Sequence, residues 1–461
     1  MAKETLTITD YSDKGTGLAT FVRPDGKTCD VEVPFTLVGE KVEAEIFKNS
    51  KKKPCAYRAK DLVILKESSS RITPRCPHFG LCGGCSLQHM TYEEQLRWKE
   101  EKIFTLFAPY RETVQFHPIM AADSPWGYRN KMEFSFGQDA AGKKFLGLII
   151  GNSRGRVFDL NECYLIDQWA VDCLLAVRSW WHASSLAAYS PRNNEGALRN
   201  LTIRTGKTSN DKMVILTVSG RPEYAIVKAQ VESFVEAVKA LPAETLSIVL
   251  RIHQAIKGQP TQIFEMILSG PDHVRETIHD LKFHISPNAF FQPNTLQASK
   301  LYERTLSLAN LNSSMTLCDL YCGVGVFGML AAQKVKTVYG IELDHDAAYD
   351  ARVNAERLGI SNFTVRRGDV ATVLKEMALE GLQLRPEVVL VDPPRAGLGP
   401  KAVEEIEALR PSTLMYVSCN PKTQAEDVLL LSEKGFRVTD IQPVDQFPQT
   451  PHVENILRLV R

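Results

Sequence analysis

Alternating polarity dominates the first stretch of the chain. Thr5-Leu6-Thr7-Ile8, Gly17-Leu18-Ala19-Thr20-Phe21-Val22, Val31-Glu32-Val33 and Val42-Glu43-Ala44-Glu45-Ile46 each read as short strands, with Gly15 and Pro24-Asp25-Gly26 as turn signals. About five such strands over residues 1–65 predict a small β-barrel of the oligonucleotide-binding kind. The pattern then changes. Thr91-Tyr92-Glu93-Glu94 has the form of a capping box and opens a predicted helix with Leu96, Ile103 and Phe107 on one face, ending by Pro109. Met132, Phe134 and Phe136 alternate with Lys131, Glu133 and Ser135, and further strand patterns run over 145–150, 212–218, 246–250 and 262–268, with helical stretches near 164–183 and 222–240. Residues 66–279 therefore read as a central α+β domain around an antiparallel sheet.

From about residue 280 strands and helices alternate. Thr316 to Tyr321 is a strand, Cys322 to Gly328 a Gly-rich turn into a helix, and Thr337 to Ile341 a second strand ending at Glu342. A helix from Asp344 stops at Gly359. Phe363-Thr364-Val365 leads to Gly368-Asp369, Glu387 to Val391 leads to Asp392-Pro393-Pro394-Arg395, and Leu414 to Val417 leads to Ser418-Cys419-Asn420-Pro421. This succession predicts an α/β Rossmann-like domain over 280–461 with a parallel, doubly wound sheet.

A length of 461 residues, 44% hydrophobic and 24% charged, suits a multidomain globular protein. The formal net charge of +1 removes any global attraction to nucleic acid, so a nucleic-acid site must be local. One local excess is Lys48, Lys51, Lys52, Lys53, Arg58 and Lys60, either a solvated hairpin tip or a phosphate-binding surface on the barrel. Arg129 and Lys131 read as ordinary surface charges unless the active site borders them. Neither a signal peptide nor a membrane span is evident, so a cytoplasmic location is expected.

Ten cysteines are scattered except for Cys76, Cys82 and Cys85, which sit among glycines that let backbone N–H groups turn toward sulfur, as iron–sulfur clusters favour. Cys163 is the candidate fourth ligand; His78 or His89 could instead complete a zinc site. Gly323-x-Gly325-x-x-Gly328 fits a nucleotide-type cofactor, with Glu342 placed for ribose hydroxyls and Asp369 for an adenine amino group. These acids suit NAD and S-adenosylmethionine alike; Asp319 before the loop favours the cationic methyl donor, which has no pyrophosphate to repel.

Five motifs then occur in order: Phe290-Phe291-Gln292-Pro293-Asn294, Asp319-Leu320-Tyr321-Cys322-Gly323, Asp392-Pro393-Pro394-Arg395, Ser418-Cys419-Asn420-Pro421 and Pro451-His452-Val453-Glu454. Together they resemble the RNA uracil-C5 methyltransferase family over nearly the whole chain, nearest its 23S ribosomal RNA members, which combine a TRAM barrel, an iron–sulfur cluster and this catalytic domain. The resemblance implies a 4Fe-4S cluster on Cys76, Cys82, Cys85 and Cys163. It also implies S-adenosylmethionine contacts from Gln292, Tyr321, Glu342 and Asp369, and Asp392 near the target base. Structured RNA is the implied partner and a monomer the expected state. One departure is Val326, where some members carry Asn.

Uracil C5 is a poor nucleophile, and adding a thiolate to C6 makes it an enolate. Cys419 is the candidate nucleophile, Glu454 the proton acceptor, Asp392 the group holding the pyrimidine edge, and Phe290 a face for a flipped base. For Phe290 and Phe291 core packing is the competing reading, and His452 either assists or packs. Rival functions are a tRNA uracil-C5 enzyme, an adenine N6-type methyltransferase, a non-catalytic iron–sulfur RNA-binding protein and an NAD oxidoreductase.

Overall fold

The computed structural model describes residues 3–48, 57–151, 153–256 and 258–461. Lys51, Lys52 and Lys53 of the basic run lie outside them. The N-terminal strands form a six-stranded sheet around Leu6, Ile8, Val31, Val33, Val42 and Ala44. Six strands replace the expected five because Tyr57–Lys66 and the short Asp10–Tyr11 both join. Of the basic run, Lys60 lies 2.8 Å from Glu45 and 3.2 Å from Asp61, so it is not free for phosphate.

The helix Tyr92–Leu106 begins where expected, with Thr91 Oγ1 accepting from the Glu94 N–H at 3.3 Å. The reciprocal half of the box is absent: the Glu94 carboxylate takes Arg97 instead. Its buried face is also more polar than the pattern predicts, comprising Gln95, Trp98, Lys99 and Ile103, while Leu96 is only half-buried. The reason is tertiary. This helix docks on the C-terminal unit, where fully buried Lys99 donates to Asp445 at 2.6 Å and Gln95 pairs with Gln449. The following strand Gln115–Phe116 pairs with Arg437–Val444 at the edge of the C-terminal sheet.

A seven-stranded sheet forms the centre, packed on helices Gln168–Ala183 and Lys228–Lys239. It is not wholly antiparallel as expected. Lys212–Ser219 and Leu246–Gln254 run parallel because the second helix crosses over between them. Leu198–Thr205, missed by the pattern, is a central strand. A separate hairpin, Val274–Ile278 with Leu281–Ile285, leads into the C-terminal unit.

The C-terminal sheet has eight strands. Phe363–Arg367, Thr337–Glu342, Thr316–Leu320, Val388–Val391 and Thr413–Ser418 lie parallel in that order. The expectation of a parallel sheet fails at its far side, where Glu454–Val460 inserts antiparallel between Thr413–Ser418 and Arg437–Val444. This departure positions the site. Cys419 follows the C-terminal end of one strand and Glu454 begins its antiparallel neighbour, so both stand at the same edge; Ser418 is in register with Asn455. Asp392 follows the next parallel strand, at the carboxyl edge where open α/β sheets bind ligands.

Candidate active site

Four side chains from distant parts of the chain meet at this edge. Glu454 is 1% exposed, and its Oε2 is buried with no hydrogen-bond partner. Burial first, then the Asp392 charge, hold its carboxyl well above the usual range, with Arg395 opposing. Burial likewise raises Asp392 to about 7, and the Gln292 amide, 3.4 Å away, pulls the other way. The half-buried Cys419 thiol is raised to about 11 by burial and then by Glu454 and Asp392. Arg395 counters this through its charge and a hydrogen bond to the sulfur. Sequence reasoning quoted Arg395 only as part of a motif. It is a cation beside the Cys419 thiol, and its Nη2 lies 3.3 Å from His452 Nδ1. Burial, then Arg395, lower His452 to about 4, so the imidazole is neutral at neutral pH.

The two phenylalanines divide. Phe291 is 5% exposed and belongs to the core, whereas Phe290 is 66% exposed beside the site. Gln292 is buried, and its backbone carbonyl accepts from the Asn130 amide at 2.8 Å.

The Gly-rich turn lies at the neighbouring strand tips. Tyr321, Gly323 and Gly325 have φ values of +68°, +54° and +81°. A Cβ at Gly323 would meet open space, whereas one at Gly325 would strike Met329 and Phe363 at 2.9 Å. The Gly323 N–H donates to Glu342 Oε2 at 2.8 Å, which ties the loop to the second strand's acid. Asp319 is buried beneath, with Oδ2 unpartnered and its carboxyl raised well above normal by burial. Val326 packs into the core. Asp369 follows the third strand, and its carboxylate also caps the helix Val370–Leu379 by accepting from the Thr372 N–H at 3.3 Å, with Lys401 3.6 Å away.

Cys76, Cys82, Cys85 and Cys163 line one cavity of about 500 Å³. Gly84 N–H points at Cys82 Sγ, 3.3 Å away, the amide-to-sulfur contact expected of this glycine-rich loop. Among the described residues no three His, Cys, Asp or Glu side chains converge closely enough to hold a single metal ion. His78 is on the wall with Nε2 accepting from the Asn161 N–H, and His89 is buried elsewhere against Phe35 and Phe79. Cys173, Cys318 and Cys322 are packed in hydrophobic cores, as expected of isolated cysteines.

A family model described as tRNA (uracil-5-)-methyltransferase matches residues 232–461. An uncharacterized RNA methyltransferase of Protochlamydia amoebophila is 46% identical over 444 residues, covering 93% of this chain and 99% of that protein. The chain belongs to the RNA uracil-C5 methyltransferase family. An uncharacterized RNA methyltransferase of Halalkalibacterium halodurans is 32% identical, over 98% of this chain and 95% of that protein. Among solved structures, the Pyrococcus abyssi tRNA (uracil-54, C5)-methyltransferase in complex with S-adenosyl-L-homocysteine has a TM-score of 0.74 at 24% identity, covering 99% of both chains. That likeness establishes the multi-sheet methyltransferase fold. An S-adenosylmethionine-dependent RNA methyltransferase is the activity the family carries. None of the described helices is long and apolar enough to cross a membrane.

Proposed function

We propose that this protein methylates C5 of a uridine in 23S ribosomal RNA through a covalent adduct with Cys419. The single observation carrying the reading is the meeting of Cys419, Glu454 and Asp392 at one sheet edge, although they come from three separate strands. The Cys419 thiolate adds to uracil C6, and the displaced π electrons reach O4 as an enolate. Asp392, titrating near 7, either accepts from N3–H or, protonated, donates to O4 as charge grows there. When bound, S-adenosylmethionine would supply the electrophilic methyl group to C5, its S–CH3 bond breaking to leave S-adenosylhomocysteine. Glu454 then removes the C5 proton; those electrons restore the C5–C6 double bond and expel the thiolate. Burial favours the protonated form of Glu454, so its proton must leave before this step. Phe290, exposed at the rim, offers a stacking face to the extruded base.

The cofactor fits the second half of the edge. The open space at Gly323, the unpartnered Asp319 oxygen and the Glu342 carboxylate suit an adenosyl group with a cationic amino-acid tail. Tyr321, Gly325 and Gln292 border it. Asp369, engaged as a helix cap, would reach adenine only by sharing its carboxylate.

A 4Fe-4S cluster on Cys76, Cys82, Cys85 and Cys163 belongs to the same proposal. The observation that supports the cluster is that all four cysteines line one cavity; a zinc ion is the alternative. Iron and sulfide analysis after anaerobic purification is expected to find both; stoichiometric zinc overturns this part. The six-stranded N-terminal sheet is read as the TRAM barrel and the working unit as a cytoplasmic monomer.

The test is methyl transfer to ribosomal and transfer RNA from a strain lacking the gene, with the modified position mapped. Replacing Cys419 with Ala should abolish transfer while leaving cofactor binding intact. Replacing Glu454 with Gln should trap a methylated protein–RNA adduct visible on a denaturing gel, and no adduct means another base. The name of the matched family model favours a second reading, a tRNA substrate, which a mapped position in tRNA would establish.

A further inference from the structure

Lys131 is linked to the active-site edge through its chain neighbour and its sheet partner. Lys131 stands directly opposite Arg204 in the central sheet, and the Arg204 guanidinium donates to the backbone carbonyls of Ser286 and Ala289, the turn that presents Phe290. The preceding residue, Asn130, holds the Gln292 carbonyl and the Thr295 hydroxyl. Lys131 itself has neither an ion pair nor a hydrogen bond among the described residues, although it is half-buried. Burial first, then Arg204 and Arg251, depress its amine to about 8, with Glu133 and Glu265 opposing weakly. Arg129, the other cation of this stretch, lines the cysteine cavity.

The cations continue along the same face. Arg251 is opposite Glu265 and tied to it at 2.7 Å. His253, two residues on, feels both Arg251 and Arg199, and its Nδ1 is buried without a partner. Arg199 lies over the Tyr189 ring at 3.8 Å with Nη1 buried and unpartnered. Like charges crowded at a half-buried surface destabilise the folded protein unless an anion arrives. The acids nearest Lys131, Glu133 and Glu265, are already taken: Glu133 accepts from Asn200 and Thr202, and Glu265 from Arg251, while Asp346, which also feels Arg251, is held by Asn288 and His345.

We infer that Lys131 and Arg199 mark a phosphate track leading away from the Phe290 rim, which seats the backbone of the substrate RNA next to the target uridine. This rests on RNA being the substrate. The family's RNA carries one negative charge per nucleotide, and a half-buried track of Lys and Arg donors is what a flexible strand needs once its base is turned out.

The test uses the full-length protein and a fluorescent single-stranded oligouridylate, with affinity measured against salt concentration. A single-strand contact contributes about −0.7 to the slope of log K against log salt. Lys131→Gln and Arg199→Gln should each flatten the slope by about that amount, additively, while S-adenosylmethionine affinity by calorimetry stays unchanged. Lys131→Arg should restore the slope. An unchanged slope in both Gln variants overturns the track, as does a wild-type protein whose binding shows no salt dependence. A wild type that binds with the full slope but methylates no uridine refutes the proposed reaction and leaves the track standing.

Discussion

The protonation of Cys419 makes a quantitative test of the active-site reading. With its thiol raised to about 11, ionising it at pH 8 costs about 4 kcal/mol at 1.36 kcal/mol per pH unit, leaving a thiolate fraction of about 10⁻³. An unperturbed thiol with a pKa near 8.5 is roughly one-quarter ionised at that pH, about 200-fold more. Greater basicity returns roughly tenfold, because nucleophilicity rises with pKa at a Brønsted slope near 0.4–0.5. Cys419 should therefore react with iodoacetamide about 20-fold more slowly than free cysteine at pH 8. Peptide-resolved mass spectrometry should show log rate rising with unit slope from pH 7 to 9.5, without a plateau. Asp392→Asn removes one carboxylate that opposes the thiolate. Since Asp392 titrates near 7, its charge is present above that pH and lost below it. The variant should therefore accelerate alkylation at pH 8 and have little effect at pH 5.5. Arg395→Gln should slow it, because Arg395 is the cation favouring the thiolate. A plateau below pH 9 in the wild type, or the same Asp392→Asn effect at both pH values, would refute the assigned environment.

Three further outcomes follow from packing. Lys99→Met strands the Asp445 carboxylate with only Tyr92 as a side-chain donor, and breaking such a buried pair typically costs about 3–5 kcal/mol. A fall in thermal midpoint, with faster hydrogen exchange in the helix Tyr92–Leu106, checks this; an unchanged midpoint contradicts it. Gly325→Ala forces a Cβ into Met329 and Phe363 and should lose S-adenosylmethionine affinity in calorimetry. Gly323→Ala meets no protein atom but projects into the space proposed for the cofactor and carries a left-handed backbone penalty of about 1–2 kcal/mol, so it too should lose affinity while lowering the thermal midpoint less than Gly325→Ala; equal midpoints would show that contact with Met329 and Phe363 is not the cause. Phe290→Ala, at an exposed position, should leave melting and cofactor affinity unchanged while raising KM for RNA, and an unaltered KM removes the stacking role.

Much of the catalytic edge was legible along the chain. The strand tips carrying Glu342, Asp392 and Cys419 follow from short apolar runs ended by turn residues, and those signals are local. The N-terminus of the helix Tyr92–Leu106 was legible for the same reason, since a cap involves neighbours four residues apart at most. Its buried face was not. Lys99 and Gln95 look like solvent positions until Asp445 and Gln449, some 350 residues away in sequence, supply their partners.

The sequence by itself determined most of the elements and the order of the motifs, because backbone period and turn chemistry are set within a few residues. Tertiary structure alone decided that Glu454–Val460 inserts antiparallel beside Thr413–Ser418, bringing Glu454 to Cys419. Strand order and direction arise from burial of whole sheet faces, which no short window encodes. The same holds for Arg395 beside the thiol, for four cysteines around one cavity and for Lys131 without an anion. Each depends on which distant side chains share a low-dielectric space, and that space exists only once the sheets have packed.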